Sequence, residues 1–141
     1  MNLKQRGILL VEDDPNDVFF MERAMSSAQL APPVFVAVNG EEAINYLAGR
    51  DKFADRTAHP LPDSVFLDLK LPFISGFEVL EWIRTQPSLS ALCVIVLTSS
   101  PEERDRQRAS ELGAKAYLLK PPNPQMLLEA LESSIASDPT P

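Results

Sequence analysis

The sequence predicts an α/β domain in which a doubly wound, five-stranded parallel sheet carries helices on both faces. Short apolar runs alternate along the chain with segments in which apolar residues recur at helical spacing. Most runs are bounded by proline, glycine, asparagine or aspartate, which end strands and begin or end helices. Strands separated by helical crossovers run parallel, so helices are expected to cover the sheet on both sides.

The predicted strands are short runs of branched apolar residues, as buried parallel strands are. They cover residues 8–11, 34–38, 64–67, 92–97 and 116–119. A helical pattern follows each strand, and five such units favour the flavodoxin-like strand order 2-1-3-4-5. Cys93 lies inside the fourth run, so we expect a buried apolar side chain and not a reactive thiol.

Most of the predicted helices begin at polar capping residues. Three begin at a cap followed by proline at the first helical position: Asp14-Pro15, Ser100-Pro101 and Asn123-Pro124. Ser100 and Glu103 also match a capping box, which predicts a helix over residues 101–112 with Gly113 as its C-terminal cap. That helix has few apolar anchors, so we expect it to be weakly held and mobile.

Composition limits the partners and the location that we expect. A chain of 141 residues fits one domain, 1–141, with a core of about 7–136, a loose tail over 137–141 and no second domain. Twenty acidic residues against 13 basic ones give a net charge of −7, which argues against nucleic acid and anionic membranes. No signal peptide or transmembrane run is evident, so we expect a cytoplasmic protein.

Polar side chains follow four of the predicted strands. Glu12 and Asp13 follow the first strand, Asp68 the third, Thr98 the fourth and Lys120 the fifth. In an open α/β sheet, ligands bind beyond the carboxyl ends of the strands, near the switch in strand order. The first and third strands are neighbours in the predicted order, so the three carboxylates meet there and need a cation.

This set of groups suits phosphoryl transfer. Carboxylate oxygens with room for water suit Mg²⁺, and a carboxylate such as Asp68 is a nucleophile that forms aspartyl-phosphate. The metal and Lys120 would neutralise the phosphoryl oxygens, to one of which the Thr98 hydroxyl would donate. Singly, each residue is explained as well by a helix cap, a turn or a solvated charge, and Asp14 is interpreted as a cap. The prediction rests on all of them falling at strand ends.

The sequence resembles the receiver domains of bacterial response regulators. The matching segments are residues 10–14, 66–72 with Gly76, 96–99 and 117–121, within a resemblance that spans about residues 7–136. It implies a two-component signalling switch that is not a dedicated enzyme. It also implies phosphorylation by a sensor histidine kinase, directly or through a histidine phosphotransfer protein.

The resemblance assigns the metal site and the phosphoryl acceptor. Glu12, Asp13, Asp68 and the backbone carbonyl of Lys70 would hold the metal, with Glu12 acting through water. Asp68 would accept the phosphoryl group. Lys70 places a cation two residues after the acceptor, which leaves the lifetime of the phosphoryl group open.

The resemblance also assigns the switch. Thr98 and Lys120 would bind the phosphoryl group, Tyr117 would be the aromatic residue that moves with Thr98, and the bond before Pro121 would be cis. With no output domain, the signal would leave through the face formed by the fourth helix, fifth strand and fifth helix. That face would bind a partner or form a homodimer.

A polar loop is predicted over residues 49–63, and its stretch 50–63 is longer than in a minimal receiver. A loop of this length resembles single-domain regulators that partner phytochrome-type histidine kinases. His59, the only histidine, is interpreted as loop surface and not as a ligand.

Three other classes of protein use similar groups. A haloacid-dehalogenase-like phosphatase needs a second aspartate where Lys70 stands. A flavodoxin needs a glycine- and hydroxyl-rich loop where residues 12–15 place acids that repel phosphate. A pseudo-receiver would not need Thr98 and Lys120. The donor kinase, the target and the choice among output, relay and phosphate sink stay open.

Overall fold

A computed structural model describes residues 7–136, and it contains five strands and five α-helices in alternation. In chain order these are β1 Ile8–Val11, α1 Pro15–Ser27, β2 Phe35–Ala37, α2 Gly40–Ala48, β3 Ser64–Leu67, α3 Gly76–Arg84, β4 Cys93–Thr98, α4 Glu103–Glu111, β5 Ala116–Leu119 and α5 Pro124–Ala136. The predicted loose tail, 137–141, lies outside the described residues.

The strands form one parallel sheet in the order β2-β1-β3-β4-β5, which confirms the predicted fold class. Side chains alternate between the two faces of the sheet, and each face has its own core. One core joins the sheet to α2, α3 and the single buried residue of α4, Ala109. The other joins it to α1 and α5, and it contains Cys93, which is buried as expected.

The predicted caps are confirmed at two of the three cap–proline pairs. Asp14 Oδ1 accepts a hydrogen bond from the Asn16 N–H at 2.8 Å, and Asn123 Oδ1 accepts one from the Met126 N–H at 2.9 Å. Gly113 follows α4 with φ of +97°, so its predicted role at the end of that helix is also confirmed.

The predicted start of α4 is wrong. The helix begins at Glu103, and Ser100 is not its cap. The Ser100 hydroxyl donates to Asp105 Oδ2 at 2.6 Å, and the Ser100 carbonyl accepts a hydrogen bond from the Tyr117 hydroxyl at 2.8 Å. Both Ser100 groups are therefore used in contacts other than a capping box, and the backbone turns into the helix three residues later.

The loop between α2 and β3 is ordered by side chains that point inward. It contains a short 3₁₀ turn, Asp51–Ala54, whose Phe53 is buried against Phe35 and Tyr46. His59 packs edge-on against the same three rings, at 5.2 to 6.1 Å between centroids. His59 is half-buried and belongs to this aromatic cluster, so it is more than loop surface, and its expected lack of a ligand role stays a prediction.

Candidate functional site

The sheet itself positions the candidate residues at its carboxyl edge. The Asp68 N–H donates to the Val11 carbonyl at 3.2 Å, and the Lys120 N–H donates to the Thr98 carbonyl at 2.9 Å. The backbone pairing thus continues one residue past β3 and past β5. The N–H of residue 12 pairs in the same way with the Ala37 carbonyl, at 2.9 Å. Residues 12, 68 and 120 are therefore held by the sheet, which restricts where their side chains can reach.

Three carboxylates meet at this edge, as predicted. Oxygens of Glu12, Asp13 and Asp68 all lie within 4.8 Å of one another. Glu12 and Asp68 are buried, with 3% and 6% of their surface exposed, whereas Asp13 is exposed. Oxygen donors grouped at one open edge fit a hard divalent cation that keeps some of its water. Like charges so close together also need such a cation.

Lys120 lies among these acids. Its Nζ donates to Glu12 Oε1 at 2.5 Å, to Asp17 Oδ2 at 2.8 Å and to Asp68 Oδ2 at 2.9 Å. The peptide bond between Lys120 and Pro121 is cis, as the resemblance implied. The fifth strand therefore brings its lysine to the predicted acceptor.

Burial and mutual hydrogen bonds shift the pKa values of Glu12 and Lys120. Burial raises the pKa of Glu12 to about 7, although hydrogen bonds from Lys120 and the Asp14 N–H act to lower it. Burial alone would lower the pKa of Lys120, but hydrogen bonds to Asp17, Glu12 and Asp68 outweigh burial and raise it above its ordinary value. Lys120 therefore stays protonated, and its positive charge favours the ionised form of Glu12.

Thr98 is the last residue of β4, and Tyr117 lies in the neighbouring strand β5. Thr98 is fully buried, and its hydroxyl accepts a weak hydrogen bond from the Ser100 N–H at 3.4 Å. The Tyr117 hydroxyl donates to the Ser100 carbonyl, and the Arg106 guanidinium lies 4.6 Å above the Tyr117 ring. Burial raises the pKa of Tyr117 above its usual value. These contacts tie Tyr117 to α4 and to the segment that follows Thr98.

The loop after Asp68 is held close to the acceptor. A Cβ atom on Gly76 would lie 2.2 Å from the Asp68 carbonyl oxygen, so only glycine allows α3 to begin there. The Lys70 N–H donates to Asp68 Oδ1 at 3.2 Å, while the Lys70 side chain is exposed. The metal-binding role of the Lys70 carbonyl stays a prediction.

Sequence reasoning missed one member of this group, Asp17. This residue lies in the first turn of α1, three positions after the cap Asp14. An acid in the first turn of a helix is ordinarily explained by the helix dipole. Its position in a helix that begins at the carboxyl end of β1 could have indicated that it reaches the same edge.

The family model for the response regulator receiver domain matches residues 8–132 of the sequence. The chain belongs to this family. The receiver is similar to the probable methanogenesis regulatory protein FilR2 of Methanothrix harundinacea, at 34% identity over 81% of this chain and 71% of that protein. It spans 50% and 24% of the lengths of two other curated relatives.

Solved structures extend the comparison. The bacteriophytochrome response regulator AtBRR matches with a TM-score of 0.80 and 40% identity over 91% of both chains. The Mn²⁺-bound form of response regulator Rcp1 matches with a TM-score of 0.76 and 29% identity, covering 96% of this receiver and 97% of that chain. The neighbours therefore include phytochrome-associated regulators. Within residues 7–136, no helix of the receiver has the length and apolar composition that crossing a membrane requires.

Proposed function

We propose that this receiver accepts a phosphoryl group on Asp68 with the help of Mg²⁺ and thereby changes an interaction surface at α4, β5 and α5. One observation carries the proposal. Lys120 Nζ lies 2.9 Å from Asp68 Oδ2, at an edge where Glu12, Asp13 and Asp68 could share one cation. An acid that faces both a fixed cation and a metal site is equipped as a phosphoryl acceptor.

Each residue has a proposed task in the transfer. An Asp68 carboxylate oxygen attacks phosphorus as the P–N bond of a phosphohistidine breaks, and the imidazole nitrogen keeps the electron pair and takes a proton from solvent water. Lys120 donates to a phosphoryl oxygen, and the Thr98 hydroxyl turns to donate to another. A Mg²⁺ ion held by Glu12, Asp13, Asp68 and the Lys70 carbonyl would neutralise charge on the phosphoryl oxygens.

Phosphorylation from a small donor tests the acceptor. With acetyl phosphate and Mg²⁺, intact-mass measurement should show one phosphoryl adduct on the wild type and none on Asp68→Asn. Omission of Mg²⁺, or excess chelator, should abolish the adduct. Asp55→Asn is the matched control, because Asp55 lies in the α2–β3 loop and caps the Thr57 N–H, which asparagine can also do. An undiminished adduct on Asp68→Asn would refute the assignment.

A histidine kinase is the partner that this family implies, and we propose a phytochrome-type kinase, acting directly or through a histidine phosphotransfer protein in the cytoplasm. The proposal is supported by the similarity to AtBRR and by the ordered α2–β3 loop, residues 49–63. Radiolabelled, autophosphorylated bacteriophytochrome kinase should pass its label to the receiver within minutes. Equal or faster transfer from a sensor kinase without a phytochrome module would contradict this assignment.

We also propose that the surface of α4, β5 and α5 forms a homodimer when Asp68 is phosphorylated. This surface includes the residues that we expect to move with Thr98, because Tyr117 on β5 contacts both Ser100 and the α4 residue Arg106. Helix α4 exposes charges of both signs, a pattern that can be self-complementary across a two-fold axis. Sedimentation should show a larger species with beryllofluoride and Mg²⁺, and Arg104→Glu should weaken it. A monomer under both conditions would refute the dimer.

A further inference from the structure

The Lys120 ammonium has more acidic partners than its proposed task requires. It donates to Asp17 at 2.8 Å in addition to Glu12 and Asp68. An ammonium carries three hydrogens, so three carboxylates use all of its donors. A phosphoryl group on Asp68 can accept a hydrogen bond from Lys120 only when one of these carboxylates releases it.

Asp17 differs from the other two partners in its place at the site. Glu12 and Asp68 belong to the group of three carboxylates that could share a cation, and Asp17 does not. The Asp17 side chain is 33% exposed, against 4% for Glu12 and 8% for Asp68. A cation that takes oxygens from Glu12 and Asp68 therefore competes with Lys120 for those two carboxylates and leaves Asp17 to it.

The space around Lys120 shows why a remaining partner matters. A cavity of about 220 Å³ lies between α1 and the segment after β5, and Asp17, Phe20, Lys120 and Pro121 are among its walls. A lysine side chain is long and flexible, so an ammonium released by two carboxylates has room to turn away from Asp68. The hydrogen bond from Lys120 Nζ to Asp17 Oδ2, at 2.8 Å, limits how far the ammonium can turn.

We propose that Asp17 is a positioning residue that keeps the Lys120 ammonium beside Asp68 when Glu12 and Asp68 turn to the cation and the phosphoryl group. The inference rests on the proposed function, because it concerns how Lys120 meets the phosphoryl group. Asp17 itself does not contact that group. It acts through Lys120, by a charge-assisted hydrogen bond that stays in place throughout the reaction.

A matched pair of charge-removing variants tests the proposal. With acetyl phosphate at saturating Mg²⁺, Asp17→Asn should be phosphorylated about tenfold more slowly than the wild type, because a neutral amide oxygen holds the Lys120 ammonium less strongly than a carboxylate does. Asp14→Asn removes the same charge one turn away, has no contact with Lys120 and preserves the helix cap, so its rate should stay within about twofold. Asp17→Glu, which keeps the carboxylate, should recover most of the rate.

Two double-mutant cycles separate positioning from general stabilisation. In a Lys120→Gln background, Asp17→Asn should change the phosphorylation rate by less than about twofold, because the residue through which it acts is gone. Urea unfolding without Mg²⁺ should also show coupling between Asp17 and Lys120. This second measurement does not depend on phosphorylation.

The outcomes distinguish the inference from the proposed function. A wild type that takes no phosphoryl group refutes the proposed function. A phosphorylated wild type with an equally fast Asp17→Asn variant overturns the positioning role alone. The same conclusion follows if Asp17→Asn slows phosphorylation as much without Lys120 as with it, or if the unfolding cycle shows no coupling.

Discussion

Helices α2 and α4 have nine residues each and pack on the same face of the sheet, but they are held by different kinds of contact. Helix α2 buries four residues and continues into a loop, residues 49–63, in which Phe53 is buried and Arg56 donates to three backbone carbonyls. Helix α4 buries only Ala109.

The contacts of α4 are mostly polar and lie at the surface. Arg108 pairs with Glu81 at 3.2 Å, and Arg106 stacks on Tyr117. Burial of an aromatic side chain stabilises a fold by several kcal/mol, whereas an exposed ion pair contributes about 0–1 kcal/mol. The comparison therefore indicates a fixed end of the molecule at α2 and a movable one at α4, beside the proposed phosphorylation site.

The largest expected effect is at the fixed end. Phe53→Ala should lower the free energy of unfolding by about 3–4 kcal/mol, because it leaves a cavity among Phe35, Tyr46 and His59. Urea denaturation measures the change. Lys52→Ala, which removes an exposed cation that lies over the Phe53 and Phe35 rings, is the control and should cost less than about 1 kcal/mol. Equal losses for the two variants would contradict the conclusion that buried aromatic contacts hold α2 and its loop in place.

Removal of the Arg56 guanidinium should have a smaller effect. Arg56→Met removes the side-chain donor to the carbonyls of Leu47 and His59, and one of the two donors to the Tyr46 carbonyl, which still accepts from the Gly49 N–H. We expect a loss of about 2 kcal/mol in the free energy of unfolding. Arg50→Met is the control, since the Arg50 side chain makes one exposed hydrogen bond, to Asn45 Oδ1, and its loss should cost about 0.5 kcal/mol or less. If Arg56→Met cost no more than its control, the loop would not be held by this residue.

Hydrogen exchange compares the two helices directly. The amides of α4 should exchange at least about tenfold faster than those of α2, since few apolar contacts oppose local opening of α4. Beryllofluoride with Mg²⁺, which mimics the phosphoryl group, should change exchange in α4 and β5 and leave α2 unchanged. Equal protection of both helices in both states would show that α4 is not the movable element.

The smallest effect is expected for the surface ion pair of α4. A double-mutant cycle with Arg108→Gln and Glu81→Gln should give a coupling energy below about 1 kcal/mol, because both side chains are more than half exposed. Chemical denaturation of the four proteins measures it. A coupling energy above about 2 kcal/mol would mean that α4 is anchored more firmly than its burial indicates.

Much of the fold was predictable because it depends on local patterns. The strand runs, the caps Asp14 and Asn123 and the parallel crossovers follow from neighbouring residues and from short-range geometry. The meeting of Glu12 and Asp68 was also predictable, because parallel strands end at one edge of the sheet.

Contacts between residues distant in sequence decided the rest. His59 has no apolar pattern around it, and only the packing of α2 and β2 shows that it faces three rings. Asp17 looks like an ordinary first-turn acid until α5 and β5 are in place and Lys120 reaches it across 103 positions.

Two Ser-x-x-Glu sequences, which both predict a capping box, show what the sequence can predict and what it cannot. Ser75 and Glu78 form a capping box, with the Glu78 N–H donating to Ser75 Oγ at 3.2 Å. Ser100 and Glu103 have the same spacing but form none, because the helix begins only at Glu103 and the Ser100 oxygen accepts from the Glu102 N–H at 3.4 Å instead. The Ser100 carbonyl is held from outside the helix, by the Tyr117 hydroxyl 17 positions away. The sequence alone determined the elements, their order and the acids at the sheet edge, since those follow from patterns within a few residues. Only the tertiary structure decided which polar groups were already hydrogen-bonded, because that depends on partners from strands and helices distant in the sequence.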